Sequence, residues 1–502
     1  MSEIEPAPSS EPSPSEASRA SAGGTSALDW LTGQIISAWQ SFRRLLSVVR
    51  LRPFDAATAE GRSSERYRRA ALTSLSSMLA RGIGVFTGLA WIRISLGYLG
   101  KEAYGLWMAV GSLIAWANLA DLGLARGMQN HLSRANGEDD RELGARYVST
   151  GFLALLTMAA VLGLLALPAL FLVNWNALLN VRDTALVQQT RSVLFAVLAC
   201  FLLSFPLSVV STIYSAYQRG YVPNLFSLLN SLVSLLMLLI VTQARLSLPW
   251  LIVATNGVGV ATTLVNFGVL LREMPWLRPR LSLISRATLR DLAATSGSLF
   301  LFQIGALMVN ETQSVIIARK LGLAHVTEWS IFMRVLLLPL ALIQMIDLPL
   351  IPAFREAHVR GEADWLRTAF WRVTKLKMAI AVICAGLLIG AGNWIAGILS
   401  GGSVSLPREV WGACALLLVV AAWGGSFNDL MIAVDRLRLL VITVIANGIV
   451  TPVLTYALAV HLGLFGVALA LPLFSIVSSA WLLPWACRDL LRSAPQPAAR
   501  VG

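Results

Sequence analysis

Twelve apolar runs, each long enough to cross a hydrocarbon core as a helix of about 20 residues, leave this chain few ways to fold. They cover, to within a few residues, 72–98, 104–125, 148–173, 192–216, 222–243, 248–271, 293–318, 327–350, 374–398, 408–432, 438–460 and 463–486. Only 13% of the 502 residues are charged and 56% are hydrophobic, against about 25% charged in a soluble domain. The fold class expected is an all-α polytopic membrane protein.

Charge sorts the connections between these runs. Alternate loops on one side hold 25 Arg and Lys, the other side seven: Lys101, Arg182, Arg191, Arg245, Arg319, Lys320 and Arg408. The positive-inside rule then places both termini in the cytoplasm. In this setting the net charge of +13 reports topology rather than nucleic-acid binding. Residues 1–26, rich in Ser, Pro, Ala and Glu, are expected to be disordered. Residues 27–60 carry Leu28, Leu31, Ile35, Trp39, Phe42, Leu46 and Val49 at helical spacing, with Arg43, Arg44 and Arg50 between them. That pattern predicts an interfacial amphipathic helix and linker; a linker helix with an apolar face is the alternative.

Two passages resemble each other across half the chain. "DLGLARGMQNHLSRANGEDD" begins at Asp121 and "DLPLIPAFREAHVRGEAD" at Asp347. Leu99-Gly100 and Trp107 match Leu321-Gly322 and Trp329 at an offset of 222, and Gln218-Arg219 and Asn230 match Asp435-Arg436 and Asn447 at 217. Ordered matches of this kind predict a 6+6 duplication: one lobe with its cytoplasmic linker over 61–290, a second over 291–490, and a cytoplasmic tail over 491–502. An even number of spans keeps both copies in one orientation, related by an axis along the membrane normal, which is an architecture of transporters.

The stretch Tyr98–Asp140 carries Leu99-Gly100, Tyr104-Gly105-Leu106-Trp107 and Asp121-Leu122-Gly123-Leu124 before a polar loop. It resembles the first-hairpin signature of bacterial polysaccharide transporters, the Wzx-type flippases of the MATE/lipid-flippase superfamily. The resemblance implies transfer of an undecaprenyl-pyrophosphate-linked oligosaccharide from the cytoplasmic to the periplasmic leaflet of the bacterial inner membrane. It also implies work beside a polysaccharide polymerase and a chain-length regulator.

Such a substrate needs a polar, preferably cationic cleft, because each unpaired hydroxyl costs several kcal/mol to bury, about 4–8 on a hydrocarbon scale. Charges within the spans are the candidates to line it, each costing about 2.5–3.5 kcal/mol at a helix centre. Arg81 and Arg93 lie in the first span, Arg334 in the eighth and Glu311 in the seventh, with Gln303, Asn310 and Gln313 beside Glu311. Arg81 also stands where related lipid flippases carry an arginine. Similar depth in neighbouring antiparallel helices predicts a Glu311–Arg334 ion pair, either a fixed clip or a switch in which Glu311 is the ion-coupling group. Asp121 and Asp347, with Asp429, are expected to cap helix ends or pair with loop arginines. Gly84-x-x-x-Gly88 predicts close helix packing.

No P-loop and no paired metal-ligand motif occurs in the sequence, so no cofactor or metal is expected and an ion gradient or the membrane potential is the natural energy source. Three other readings compete: a MATE-type drug or cation exporter, which favours an acidic cleft; a membrane glycosyltransferase or polymerase, which needs a large extracytoplasmic loop with catalytic acids; and a non-transporting scaffold. Membrane lipids are the other expected contacts.

Overall fold

The computed structural model describes residues 59–117, 121, 123–294 and 297–492. The expected disordered tail, most of the interfacial helix and the residues from 493 lie outside these. Among the described residues every regular element is helical, as it must be where lipid offers no partner for backbone N–H and C=O groups. The main helices are α1 (Ala59–Ala117), α2 (Leu124–Gly137), α3 (Arg141–Leu172), α4 (Thr184–Ser204), α5 (Val209–Ala216), α6 (Tyr221–Gln243), α7 (Leu248–Glu273), α8 (Arg286–Ala294), α9 (Gly297–Lys320), α10 (Leu323–Arg360), α11 (Ala363–Ser400), α12 (Arg408–Ala433) and α13 (Leu437–Val477). Nine stretches among the described residues are long and apolar enough to cross a membrane. The protein is a multi-pass, all-helical membrane protein.

The chain divides into two units, one up to Leu75 and one from Ser76 onward. In the first, Glu65 accepts from Arg68 Nε at 2.7 Å and from Arg69 Nε at 2.9 Å on the opening turns of α1. All that follows concerns the second unit.

Local chemistry sets where its helices start and stop. Asp140 caps α3 by accepting from Leu143 N at 2.8 Å, and Asp183 caps α4 through Ala185 N and Leu186 N. These caps satisfy amides that have no intrahelical acceptor. Pro206, which has no N–H to give, interrupts α4 with a 3-10 turn (Pro206–Ser208) before α5 resumes. Inside α1, Gly100 leaves the helix at φ 73°, ψ 173°, and inside α13 Gly463 does so at φ 59°, ψ −141°. Each therefore kinks the chain between two consecutive apolar runs.

The sequence matches recur in the backbone. Gly322, which precedes α10, adopts φ 102°, ψ 167°, the same glycine-only region as Gly100. Gln218 and Asp435 are both left-handed non-glycine residues, at φ 56° and 62°. The amide after each closes the same six-residue loop, Arg219 N to Tyr214 O at 2.8 Å and Arg436 N to Met431 O at 2.9 Å. Ser234 Oγ meets Asn230 Oδ1 at 3.4 Å, and at the matched positions Thr451 Oγ1 meets Asn447 Oδ1 at 2.5 Å.

Glycine also lets helices touch. A Cβ on Gly448 of α13 would stand 2.9 Å from Gly305 O of α9, so these two backbones are in contact. Gly84 and Gly88 correct the expectation placed on them: nothing lies within 4 Å of a Cβ at either, so that motif packs against no neighbour.

Candidate functional site

The first and second halves of this unit are joined where α1 restarts after Gly100 and where α10 starts after Gly322. Gly105 of α1 sits on the main chain of α10, and a Cβ there would collide with Leu323 O. Reciprocally, Thr327 Oγ1 of α10 donates to Lys101 O of α1 at 2.6 Å. The two contacts are equivalents of one another, since residues 105 and 327, and 101 and 323, are each 222 apart. Each half thus presses the same helix position onto the other's first-turn carbonyl, the self-complementary exchange expected across a two-fold axis.

Side chains reinforce this junction. Lys101 Nζ is 3.2 Å from Glu328 Oε1, and His325 Nδ1 is 2.8 Å from Glu328 Oε2. Glu328 keeps only 15% of its side-chain exposure. Just below, the fully buried Tyr104 hydroxyl has Ser330 and Arg334 beside it. Arg93 reaches across as well, donating from Nη1 to Ile398 O near the end of α11 at 3.5 Å. The junction is therefore an ionic and main-chain latch, with Arg334 and Arg93 at its edge.

The other site residues named from the sequence distribute as follows. Arg81 and Arg93 both lie on the exposed side of the first segment of α1, with Met78, Gly82, Val85 and Phe86, an arc spanning under half the helix circumference. Asn310 is exposed; Gln303 and Glu311 are partly buried. Gln313 is wholly buried and both of its amide atoms lack hydrogen-bond partners. That corrects the cleft-lining place expected of Gln313, which turns into the helix packing while Asn310 is solvent-exposed. The expected Glu311–Arg334 bridge is not among the ion pairs of the described residues.

Asp121 holds the turn before α2, accepting from Gly123 N at 3.0 Å. Asp347 does not follow it. It meets Lys377 Nζ at 2.7 Å, and Asp429 meets the same ammonium at 3.0 Å. Lys377, one of the 25 Arg and Lys counted to the cytoplasmic side, is 1% exposed inside α11.

Each half also carries an open cleft with polar residues in its lining, Asn230 in one and the matched Asn447 in the other. One of about 640 Å³ is lined by Trp91, Trp107, Asn230, Ser234 and Asn256, and one of about 200 Å³ by Asn428, Thr443, Asn447, Ser475 and Ser478. A larger groove of about 1330 Å³ runs between α3, α4 and α7, mostly apolar, with Arg191 over the Phe171 ring at its mouth. It lies away from the charges singled out above. Among the described residues no cluster of His, Cys, Asp or Glu is placed to hold a metal ion.

Comparison with known proteins gives this arrangement its relatives. A putative O-antigen export protein of Yersinia pseudotuberculosis is 23% identical over 435 residues, covering 83% of this chain and 95% of its own. A putative O-antigen transporter of Salmonella typhi is 21% identical over 434 residues, covering 84% and 96%. Among solved structures, a multidrug resistance MATE family transporter of the MOP superfamily in an inward-facing conformation superposes with a TM-score of 0.70 at 16% identity, over 82% of this chain and 98% of that one. Its outward-facing counterpart superposes at 0.58 and 17% identity, over 85% and 97%. The fold is thus MATE-like. The profile of polysaccharide biosynthesis proteins matches residues 69–358, more than half of the chain, and this chain belongs to that family.

Proposed function

We propose that the protein is a flippase that carries a lipid-linked oligosaccharide of the O-antigen or exopolysaccharide type across the bacterial inner membrane by alternating access. The observation that carries the reading is the reciprocal latch: equivalent positions of two halves grip one another's main chain through Gly105 and Thr327. A scaffold has no need of such a joint, whereas two rocking lobes pivot or part there. Similarity to O-antigen export proteins over most of both chains supports the substrate class. MATE drug exporters share the fold at 16–17% identity, which carries no substrate, and the cationic first span disfavours a cationic drug.

In this reading α1 and α13 each count as two spans, and with α9 the total is twelve, both termini facing the cytoplasm as the loop charges require. The latch then closes the periplasmic side. Arg81, Arg93, Arg334 and Asn310 offer charge and hydrogen bonds to pyrophosphate and sugar while the polyprenyl tail stays in lipid. A polymerase and a chain-length regulator would take the product.

Deletion of the gene tests the proposal. Lipid-linked saccharide is expected to accumulate on the cytoplasmic leaflet with loss of surface polymer, and Arg81→Ala at matched protein level should reproduce part of that loss. Unchanged precursor and polymer in the deletion strain would overturn the reading.

A further inference from the structure

Three helices of the second half meet at a buried charge cluster for which the transport reading above has no use. Lys377 of α11 contacts Asp347 of α10 and Asp429 of α12 at 2.7 and 3.0 Å. The Asp429 contact has hydrogen-bond geometry; Asp347 Oδ1 is held by charge alone. Two carboxylates around one ammonium leave one negative charge unbalanced. A metal cation does not answer it, since the ammonium already sits between the acids. A proton does.

Packing does not explain the cluster. The N-caps Asp140 and Glu362 of α3 and α11 are 222 residues apart, which sets Lys377 opposite Leu155, a wholly buried residue. The 217 offset of Gln218 and Asp435 sets Asp429 opposite Thr212, also buried. The first half fills these places without charge, and a buried ion pair is in any case weak evidence of stabilisation.

The surroundings admit a proton. Lys377 is sealed, but the side chains of Asp347 and Asp429 keep 16% and 13% of their exposure. Gly425, one turn before Asp429, borders the cavity of about 200 Å³, and a Cβ on it would lie 3.6 Å from Lys377 Nζ. Asn428 Oδ1 in that cavity has no hydrogen-bond partner, nor does the buried Thr374 hydroxyl one turn before Lys377. Other charged groups of these helices are engaged elsewhere or exposed. Arg355 approaches Asp435 at 4.0 Å, Glu356 pairs with Arg360, and Arg372 and Lys375 face outward. From α13 the cavity receives the neutral Thr443, Asn447 and Ser475.

We propose that Asp347, Lys377 and Asp429 form a proton-binding site that couples the flippase to the proton gradient. The inference rests on the transport reading given above. One proton adds to a carboxylate oxygen, the cluster goes from net −1 to neutral, and the ammonium remains with the other acid. Asp347, whose Oδ1 makes no hydrogen bond to the ammonium, is the one released. It lies two residues before Pro349 and five before Pro352, where two missing amides weaken the ladder of α10, so α10 bends there once its tie to α11 is cut.

Infrared difference spectra of the full-length protein in phosphatidylethanolamine–phosphatidylglycerol vesicles, between about pH 8 and about pH 5.5, above the range of ordinary carboxylates, test the site without any saccharide. The wild type should gain a protonated-carboxyl band that Asp429→Asn abolishes and Glu311→Gln keeps. The triple variant Asp347→Asn, Lys377→Leu, Asp429→Thr, which gives positions 377 and 429 their neutral first-half residues and removes the remaining acid, should also lack the band; it serves if Asp429→Asn fails to fold. Its surface polymer should be lost at matched protein level. No band in the wild type, a band surviving in Asp429→Asn or in the triple variant, or its loss in Glu311→Gln, overturns the proton site. Normal export by the triple variant overturns the coupling. A gene-deletion strain that still exports, with the band behaving as expected, brings down the transport reading and the coupling while upholding the proton site.

Discussion

The two halves of this molecule agree in backbone and disagree in charge. Gly100 and Gly322 turn alike, Gln218 and Asp435 turn alike, and Asn230 and Asn447 each receive a hydroxyl one helical turn on. Where the first half buries Leu155 and Thr212, however, the second buries Lys377 and Asp429. The two halves share these turns, and one of them buries ionisable chemistry where the other buries none. The geometry is shared property of the halves; the titratable groups belong to one.

Paired substitutions break or sharpen that contrast. The largest difference is expected at positions 377 and 155. Lys377→Met strands two buried carboxylates and should cost about 3–5 kcal/mol, whereas Leu155→Met keeps volume and polarity and should cost less than about 1.5 kcal/mol. Thermal unfolding of the purified variants measures both; equal losses would show that charge is immaterial to the second half. Next comes the latch, whose equivalent positions are filled differently. Gly105→Val has no room against Leu323 O and should cost about 1–3 kcal/mol as overpacking or more. Thr327→Val, its counterpart, gives up one hydrogen bond to Lys101 O, worth about 0.5–1.5 kcal/mol. Stability and export of the two variants rank them, and a harmless Gly105→Val would remove the close contact from the account of the joint. The smallest effect is expected for Glu328→Gln, which loosens a half-exposed lysine and a histidine for about 1 kcal/mol or less. Its signature is a junction more readily crosslinked by cysteines placed at its rim, with little change in melting.

Hydropathy alone marked the chain as a multi-pass helical membrane protein, because a helix is the only open-chain way to satisfy backbone groups in lipid, and Gly100 and Gly322, matched in the sequence, share one backbone conformation. The charged site was less legible. Lys377 stands near the end of an apolar run, where a charge count takes it for a cytoplasmic-face cation, and its partners are 30 and 52 positions away on other helices. Glu311 and Arg334 were paired on depth, but depth says nothing about which way a side chain points around its helix. The same loss of azimuth undid the cleft-lining place given to Gln313 and the packing assigned to Gly84 and Gly88. By contrast Asp121, whose partner is two residues away, was within reach of local reasoning.

The grip of one half on the other is made with peptide oxygens: Leu323 O beneath Gly105 and Lys101 O beneath Thr327. Main-chain atoms are the same whatever residue bears them, so positions 101 and 323 can drift in identity without losing the carbonyls that the joint uses. Selection for a new sugar can therefore rewrite the side chains around the passage while leaving the pivot mechanically unaltered. Within the joint, Gly105 and Thr327 would be held to type while the residues that lend their carbonyls vary.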